Sequence, residues 1–408
     1  MATPSPRVIT TSPSLLRHGR SLVFIVLIAL NLRPAVAGVG PLLTEIRGDL
    51  GLSSAAAGAL TTLPVLCFGF FGLLAPVLRR GRREETLLVA SMVLLIIGLL
   101  VRIGPWQITL FAGSLLAGLA ISVGNVATPG LIKRETPESV TLVTAVYSTA
   151  LTLGASLSSG IMVPIEQAAG AGWRLPLGLL AAPALIAALA WLPRARRASA
   201  LPAAERTGAA GLWRDRLAWQ VTFFMGMQSL LAFVVMAWLP SLCQDRGMNE
   251  GAAGLVLALS CLVQALGSLT VPAIDRRLRD QRPLVVAVTV LTMAGFAVVA
   301  WAPMSLIWPG AVVLGLGQGS GFALALAFIG LRSADAPTAT RLSGMAQGVG
   351  YLIAATGPLG VGALRDLSGG WTVPVCCLIL VALFQSLPGL GAGRARTLCA
   401  GGHAKVVQ

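Results

Sequence analysis

The sequence predicts an all-α membrane protein, with twelve transmembrane helices arranged as two six-helix bundles. Three observations carry that expectation. Of 408 residues, 56% are hydrophobic and only 11% charged, against about 25% charged in soluble domains. The basic residues alternate from side to side along the chain. The second half also repeats features of the first at a nearly constant offset.

The apolar runs fall at about 21–43, 55–78, 86–104, 106–131, 138–165 and 174–193, then 216–240, 251–274, 284–303, 306–331, 341–364 and 371–391, each long enough to cross a bilayer. Residues 1–20 form a polar tail, read as disordered. Arg17 and Arg20 ahead of an apolar core and Ala35-Val36-Ala37 imitate a signal peptide. The length of that core, the Arg33-Pro34 inside it and the spans that follow favour a retained helix. The polar stretch 194–215, with Pro202, Glu205 and Thr207, separates a first bundle (21–193) from a second (216–391), and 392–408 is a closing tail.

An even count puts both termini on one side, and the charges test it. Of the 30 Lys and Arg, 24 fall on the side of the termini. Arg47, Arg102, Arg174, Arg246 and Arg365 fall opposite, and Arg33 lies within a span. By the positive-inside rule both termini are expected in the cytoplasm. The net charge of +15 is thus an orientation signal in short loops, with no nucleic-acid partner implied. The Arg79–Arg83 cluster reads as contact with lipid headgroups.

The repeat is specific. A shift of 196 carries Gly51, Gly58, Pro76 and Arg80 onto Gly247, Gly254, Pro272 and Arg276. A shift of 198 carries Gly172-Trp173 and Pro176 onto Gly370-Trp371 and Pro374. Two such matches argue for a duplicated six-helix unit, the plan of transporters that hold a solute between two halves.

The candidate site starts from Asn31-Leu32-Arg33-Pro34, followed by Gly38, Gly40 and Pro41. Arg33 lies roughly 18 Å past Ser21, near the middle of a hydrocarbon layer about 30 Å thick. A guanidinium there needs an anion, carbonyls or water, and the prolines and glycines allow the helix to break beside it. Substrate contact is the reading adopted for Arg33; the alternative is a structural arginine that bonds carbonyls freed by Pro34. Asn31 is rotated about 200° from Arg33 on a helix, so it reaches the same place only if the helix unwinds. Asn125, Tyr147, Gln228, Gln264, Gln318, Gln347 and Tyr351 are the other polar groups deep in spans, expected to line the site or to bond helix to helix. Tyr147 and Tyr351 occupy corresponding spans five and eleven.

Other chemistry is excluded. His18 and His403 sit in the tails, and no Cys-x-x-Cys pair occurs, so no catalytic constellation, metal site or cofactor is assigned. Gly315-x-Gly-x-Gly-x-Gly321 lies in an apolar span with no preceding strand, so it reads as helix packing and not as a nucleotide loop.

Asn31-Leu-Arg-Pro with Gly40-Pro-Leu-Leu and Thr61-Thr-Leu-Pro-Val-Leu-Cys-Phe-Gly69 resembles the cyanate and 2-nitroimidazole transporter branch of the major facilitator superfamily. So do Gly124-Asn with Gly130-Leu-Ile-Lys-Arg134, Gln228-Ser-Leu with Ala237-Trp-Leu-Pro240, and Leu342-Ser-Gly-Met-Ala-Gln-Gly-Val-Gly-Tyr351. The resemblance spans nearly all of 21–391. It implies a bacterial inner-membrane secondary transporter for a small polar or anionic solute. The superfamily's loop after span two, Gly-x-Leu-Ala-Asp-Arg-x-Gly-Arg-Arg, is altered here. Gly72-Leu-Leu-Ala75 is followed by Pro76, and Arg80 and Arg82 remain without the carboxylate. Asp275, next to Arg276, is expected to replace it across the cytoplasmic gate.

The function expected is transport by alternating access around Arg33, by a monomer that binds a small molecule and lipid. The alternatives are a multidrug or metabolite efflux pump of the same fold, set against the 6% aromatic content, or a membrane sensor, set against the lack of an appended domain. No carboxylate or histidine lies at mid-span, so facilitated diffusion or exchange is expected unless Glu45 or Glu166 turns into the cavity.

Overall fold

The structure, a computed structural model, describes residues 19–74, 84–136, 140–197, 212–275, 280–334, 336–394, 396–398 and 404–406. Eleven helices among these residues are long and apolar enough to cross a membrane. The 33-residue helix Ala336–Ser368 stands where the twelfth was predicted, at span eleven. Residues 1–18 of the polar tail read as disordered lie outside the described residues, and Gly19 and Arg20 open the first helix.

Span one is broken as its sequence requires. It consists of Gly19–Leu32, the single turn Pro34–Ala37 and Val39–Leu50. Pro34 has no N–H, so the Leu30 carbonyl four residues back loses its helical donor. Span five packs directly over it: a Cβ on Gly154 would stand 2.7 Å from the Leu30 oxygen.

Helices from the two halves meet at close range. Between spans two and eleven, a Cβ on Gly58 would stand 2.4 Å from the Pro358 oxygen, and Thr62 donates to the Ala355 carbonyl at 2.9 Å. Between spans five and eight, Ser156 donates to the Ala258 carbonyl at 2.8 Å. Gly40 of span one lies against the backbone of Met236 in span seven. The glycine run of span ten serves packing: Gly315 and Gly319 face span eight, Gly317 faces Thr292 of span nine, and Gly321 faces Gln228 of span seven.

The duplication appears in the contacts. At the end away from the termini, the Trp173 indole donates to Asp49 at 3.0 Å, and 198 residues later the Trp371 indole donates to Asp245 at 2.7 Å. An arginine covers each ring, Arg174 at 4.4 Å and Arg365 at 5.1 Å. At the other end Arg134 pairs with Glu84 at 2.7 Å and with Glu85, and Arg332 in its place bonds Gln281 and the Ala392 carbonyl.

Two places gain detail that the sequence left open. Arg102, inside the predicted span 86–104 and counted with the basic residues opposite the termini, is 1% exposed and ends the helix Glu84–Arg102 inside the first bundle. Part of the closing tail is ordered: strands Arg396–Leu398 and Ala404–Val406 pair antiparallel, and Leu398 bonds the backbone of Arg332 and Ala334. In the 194–215 linker the helix continues to Arg197, a 3-10 turn forms at Leu212–Arg214 and Asp215 caps span seven. Thr207 lies outside the described residues.

Candidate functional site

Arg33 stands at the break in span one, its own carbonyl accepting from Val36 and Ala37 at 3.0 Å. The side chain is half-buried and points at the second bundle. Its guanidinium carbon lies 5.8 Å from the ring centre of Phe233 in span seven and 6.0 Å from that of Phe322 in span ten. Among the described residues no carboxylate pairs with it and no carbonyl accepts from it. The structural-arginine alternative required such carbonyls. Two aromatic faces hold a cation by about 0.5–2 kcal/mol each, which leaves the planar N–H fork open to an anion.

Aromatic groups extend the wall. Phe68 of span two lies 5.9 Å from Tyr351, and Phe233 lies 6.2 Å from Tyr351. Tyr147, Tyr351 and Cys261 are all within electrostatic range of Arg33. Tyr147 donates to the Asn125 side-chain oxygen at 3.1 Å within the first bundle, and Tyr351 stands beside Phe233 in the second.

The remaining predicted residues lie elsewhere. The Asn31 amide donates to the Leu27 and Pro183 carbonyls at 2.8 and 3.4 Å and joins span one to span six. Gln228 donates to the Gln318 side chain at 2.9 Å and accepts from Gln385 at 2.7 Å, all three buried inside the second bundle. Gln264 is partly buried, with an amide nitrogen that finds no partner among the described residues. Gln347 donates to Ser343 one turn back on its own helix. Gly72 lies against Gly348. Arg80, Arg82 and Arg276 lie outside the described residues, and Asp275 is described only as the end of the helix Glu250–Asp275.

The end away from the termini is sealed between bundles by residues that sequence reasoning missed. Thr44 donates to Gln244 at 2.5 Å. Arg365 donates across to the Ser54 hydroxyl at 2.9 Å and is held within its own bundle by Asp245. The Asp366 carboxylate accepts the amides of Ser54 and Ala55 at 3.1 and 2.7 Å, at the start of span two, where the helix dipole favours a negative charge. Partial burial opposes that charge. The Ser54 and Ala55 hydrogen bonds, with Arg47 nearby, outweigh it and hold Asp366 below the ordinary carboxylate range.

A family model described as Major Facilitator Superfamily matches residues 22–358. The chain belongs to the Major Facilitator Superfamily. As such it is a multi-pass membrane transporter of small molecules, not an enzyme. It is 38% identical to the 2-nitroimidazole transporter of Escherichia coli (strain K12), over 94% of this chain and 98% of the relative. It is 32% identical to the cyanate transport protein CynX of the same organism, over 88% and 94%. The solved nucleoside transporter NupG superposes at TM-score 0.71 with 13% identity, covering 91% of this chain and 99% of that one. That last likeness shows the fold alone.

In this facilitator the sequence pointed to the charge but not to its walls. Phe68, Phe233 and Phe322 sit in apolar spans where aromatic residues carry no signal of their own. Only the fold shows that Phe233 and Phe322 meet at Arg33, with Phe68 5.9 Å from Phe233.

Proposed function

We propose that this facilitator moves a small anion or electron-rich polar solute by alternating access. Arg33 fixes the solute, Tyr147 and Asn125 orient it, and Phe68, Phe233, Phe322 and Tyr351 wall it in. The observation that carries this reading is the half-buried Arg33 guanidinium at the bundle interface, held by two rings of the opposite bundle and by no carboxylate among the described residues. A single cation suits a monoanion, and aromatic walls suit a flat or linear one. The relatives named for 2-nitroimidazole and cyanate support the same class.

A melting-temperature screen of the purified protein tests it, because a ligand that binds only the folded state raises stability. Cyanate, 2-nitroimidazole and small monocarboxylates should raise the melting temperature, and sulfate and dicarboxylates should not. A rise confined to large hydrophobic cations would replace this reading with the efflux pump.

The charge bias supports placing both termini in the cytoplasm of a bacterial inner membrane, with the sealed end outside. Cysteines introduced near Ser54 and Gly369 should then react with an impermeant thiol reagent on intact cells, and one at Thr207 should not. Reaction at Thr207 would reverse the orientation.

A further inference from the structure

We infer that Arg102 is a positioning residue for Arg33, acting through the backbone of the break in span one. Arg102 closes span three and is 1% exposed, and its Nη1 donates to the Ala35 carbonyl at 2.7 Å. Ala35 belongs to the isolated turn Pro34–Ala37, two residues from Arg33. The Gly38 amide bonds Pro34, and Arg102 takes the Ala35 oxygen. The Ser159 hydroxyl of span five lies 3.3 Å from the Ala37 oxygen and 2.9 Å from the Ala155 oxygen of its own helix, so its one proton is shared between them. Both anchors lie in the first bundle, whereas the rings around Arg33 lie in the second.

Burying an arginine is costly, and the Arg102 Nε has no partner among the described residues. For packing alone an apolar side chain would serve at least as well. The one hydrogen bond Arg102 is shown to make goes to the turn that carries Arg33. The break is therefore clamped to the first bundle and does not act as a hinge. When the bundles rock, Arg33 travels with the first, and the Phe233 and Phe322 rings move past it. The second half has no equivalent: position 300, matching Arg102 at the 198 offset, is Ala300, and its span seven runs unbroken over Arg216–Asp245.

This inference rests on the proposed role of Arg33, so its test must separate the two. Affinity for 2-nitroimidazole and cyanate would be measured by calorimetry for wild type, Arg33→Gln, Arg102→Gln, Arg102→Lys, Ser159→Ala and the Arg33→Gln/Arg102→Gln pair. Hydrogen exchange of the amides of residues 36–38 would be followed without ligand. Arg102→Gln should weaken binding roughly tenfold, Arg102→Lys should restore part of it, and the pair should bind no worse than Arg33→Gln alone. Exchange at 36–38 should speed up in Arg102→Gln and, to a smaller degree, in the milder Ser159→Ala. Additive losses in the pair, or exchange at 36–38 unchanged in both Arg102→Gln and Ser159→Ala, would overturn the positioning role. Unchanged affinity in Arg33→Gln, or no binding by wild type, would instead overturn the proposed function.

Discussion

Changing Arg365 and Asp366 together to alanine should open the sealed end and expose Cys261, a buried thiol within electrostatic range of Arg33. The double change removes the bonds to Ser54 and Ala55 that span the two bundles, together with the Arg365–Asp245 pair that holds Arg365 within the second. Asp245 and Asp366 are exposed, so each contact is worth only about 0.2–1 kcal/mol after screening. Acting together on one equilibrium, they should raise the open population about tenfold. The measurement is the rate at which an impermeant thiol reagent, added outside, modifies Cys261 as read by peptide mapping. An unchanged rate would remove these residues from the gate. The pH dependence follows from the sign of the Asp366 shift. Because its pKa is lowered, its bonds to span two are at full strength above the ordinary carboxylate value near 3.9 and fail only as pH falls through the lowered one. The ratio of the wild-type rate to that of the double variant at the same pH divides out the thiol's own ionisation. That ratio should therefore be flat between pH 5 and 8, which makes this gate no sensor of physiological protons.

Arg33→Gln should weaken substrate binding about ten- to a hundredfold, the range set by losing a charge-assisted hydrogen bond of about 1.5–3 kcal/mol. Melting should change little. The break is set by Pro34 and clamped by Arg102 and Ser159, and the Arg33 side chain accounts for none of the hydrogen bonds that hold it. Arg33→Lys should recover only part of the affinity, because an ammonium is a point charge and cannot present the planar fork.

Much of the fold was legible because membrane physics is written in composition. A span must be apolar throughout, and its flanking charges report its side. The broken first span was equally plain, since Pro34 cannot complete a helical ladder wherever it sits. Arg33 stood out because a charge in hydrocarbon demands a reason. The amides were not legible. Asn31, Gln228 and Gln318 are polar in apolar spans, as a cavity residue would be, but they bond neighbouring helices of their own bundles. A sequence states that such a group needs a partner, not which one. The aromatic wall and the seal at Arg365 and Asp366 depend on juxtaposing residues some 300 positions apart, and periodicity carries no information about that. The role of Arg102 was hidden for a related reason: a basic residue at the end of an apolar run reads as an orientation charge until its bond to the Ala35 carbonyl is known.

The account turns on Arg33 binding the transported solute, and the most direct measurement is uptake of cyanate and 2-nitroimidazole into proteoliposomes holding wild type or Arg33→Gln, with no imposed proton gradient. The account predicts saturable uptake by wild type, and an Arg33→Gln protein of similar melting temperature whose half-saturation lies at least tenfold higher. A folded Arg33→Gln protein that saturates at the wild-type concentration would contradict it.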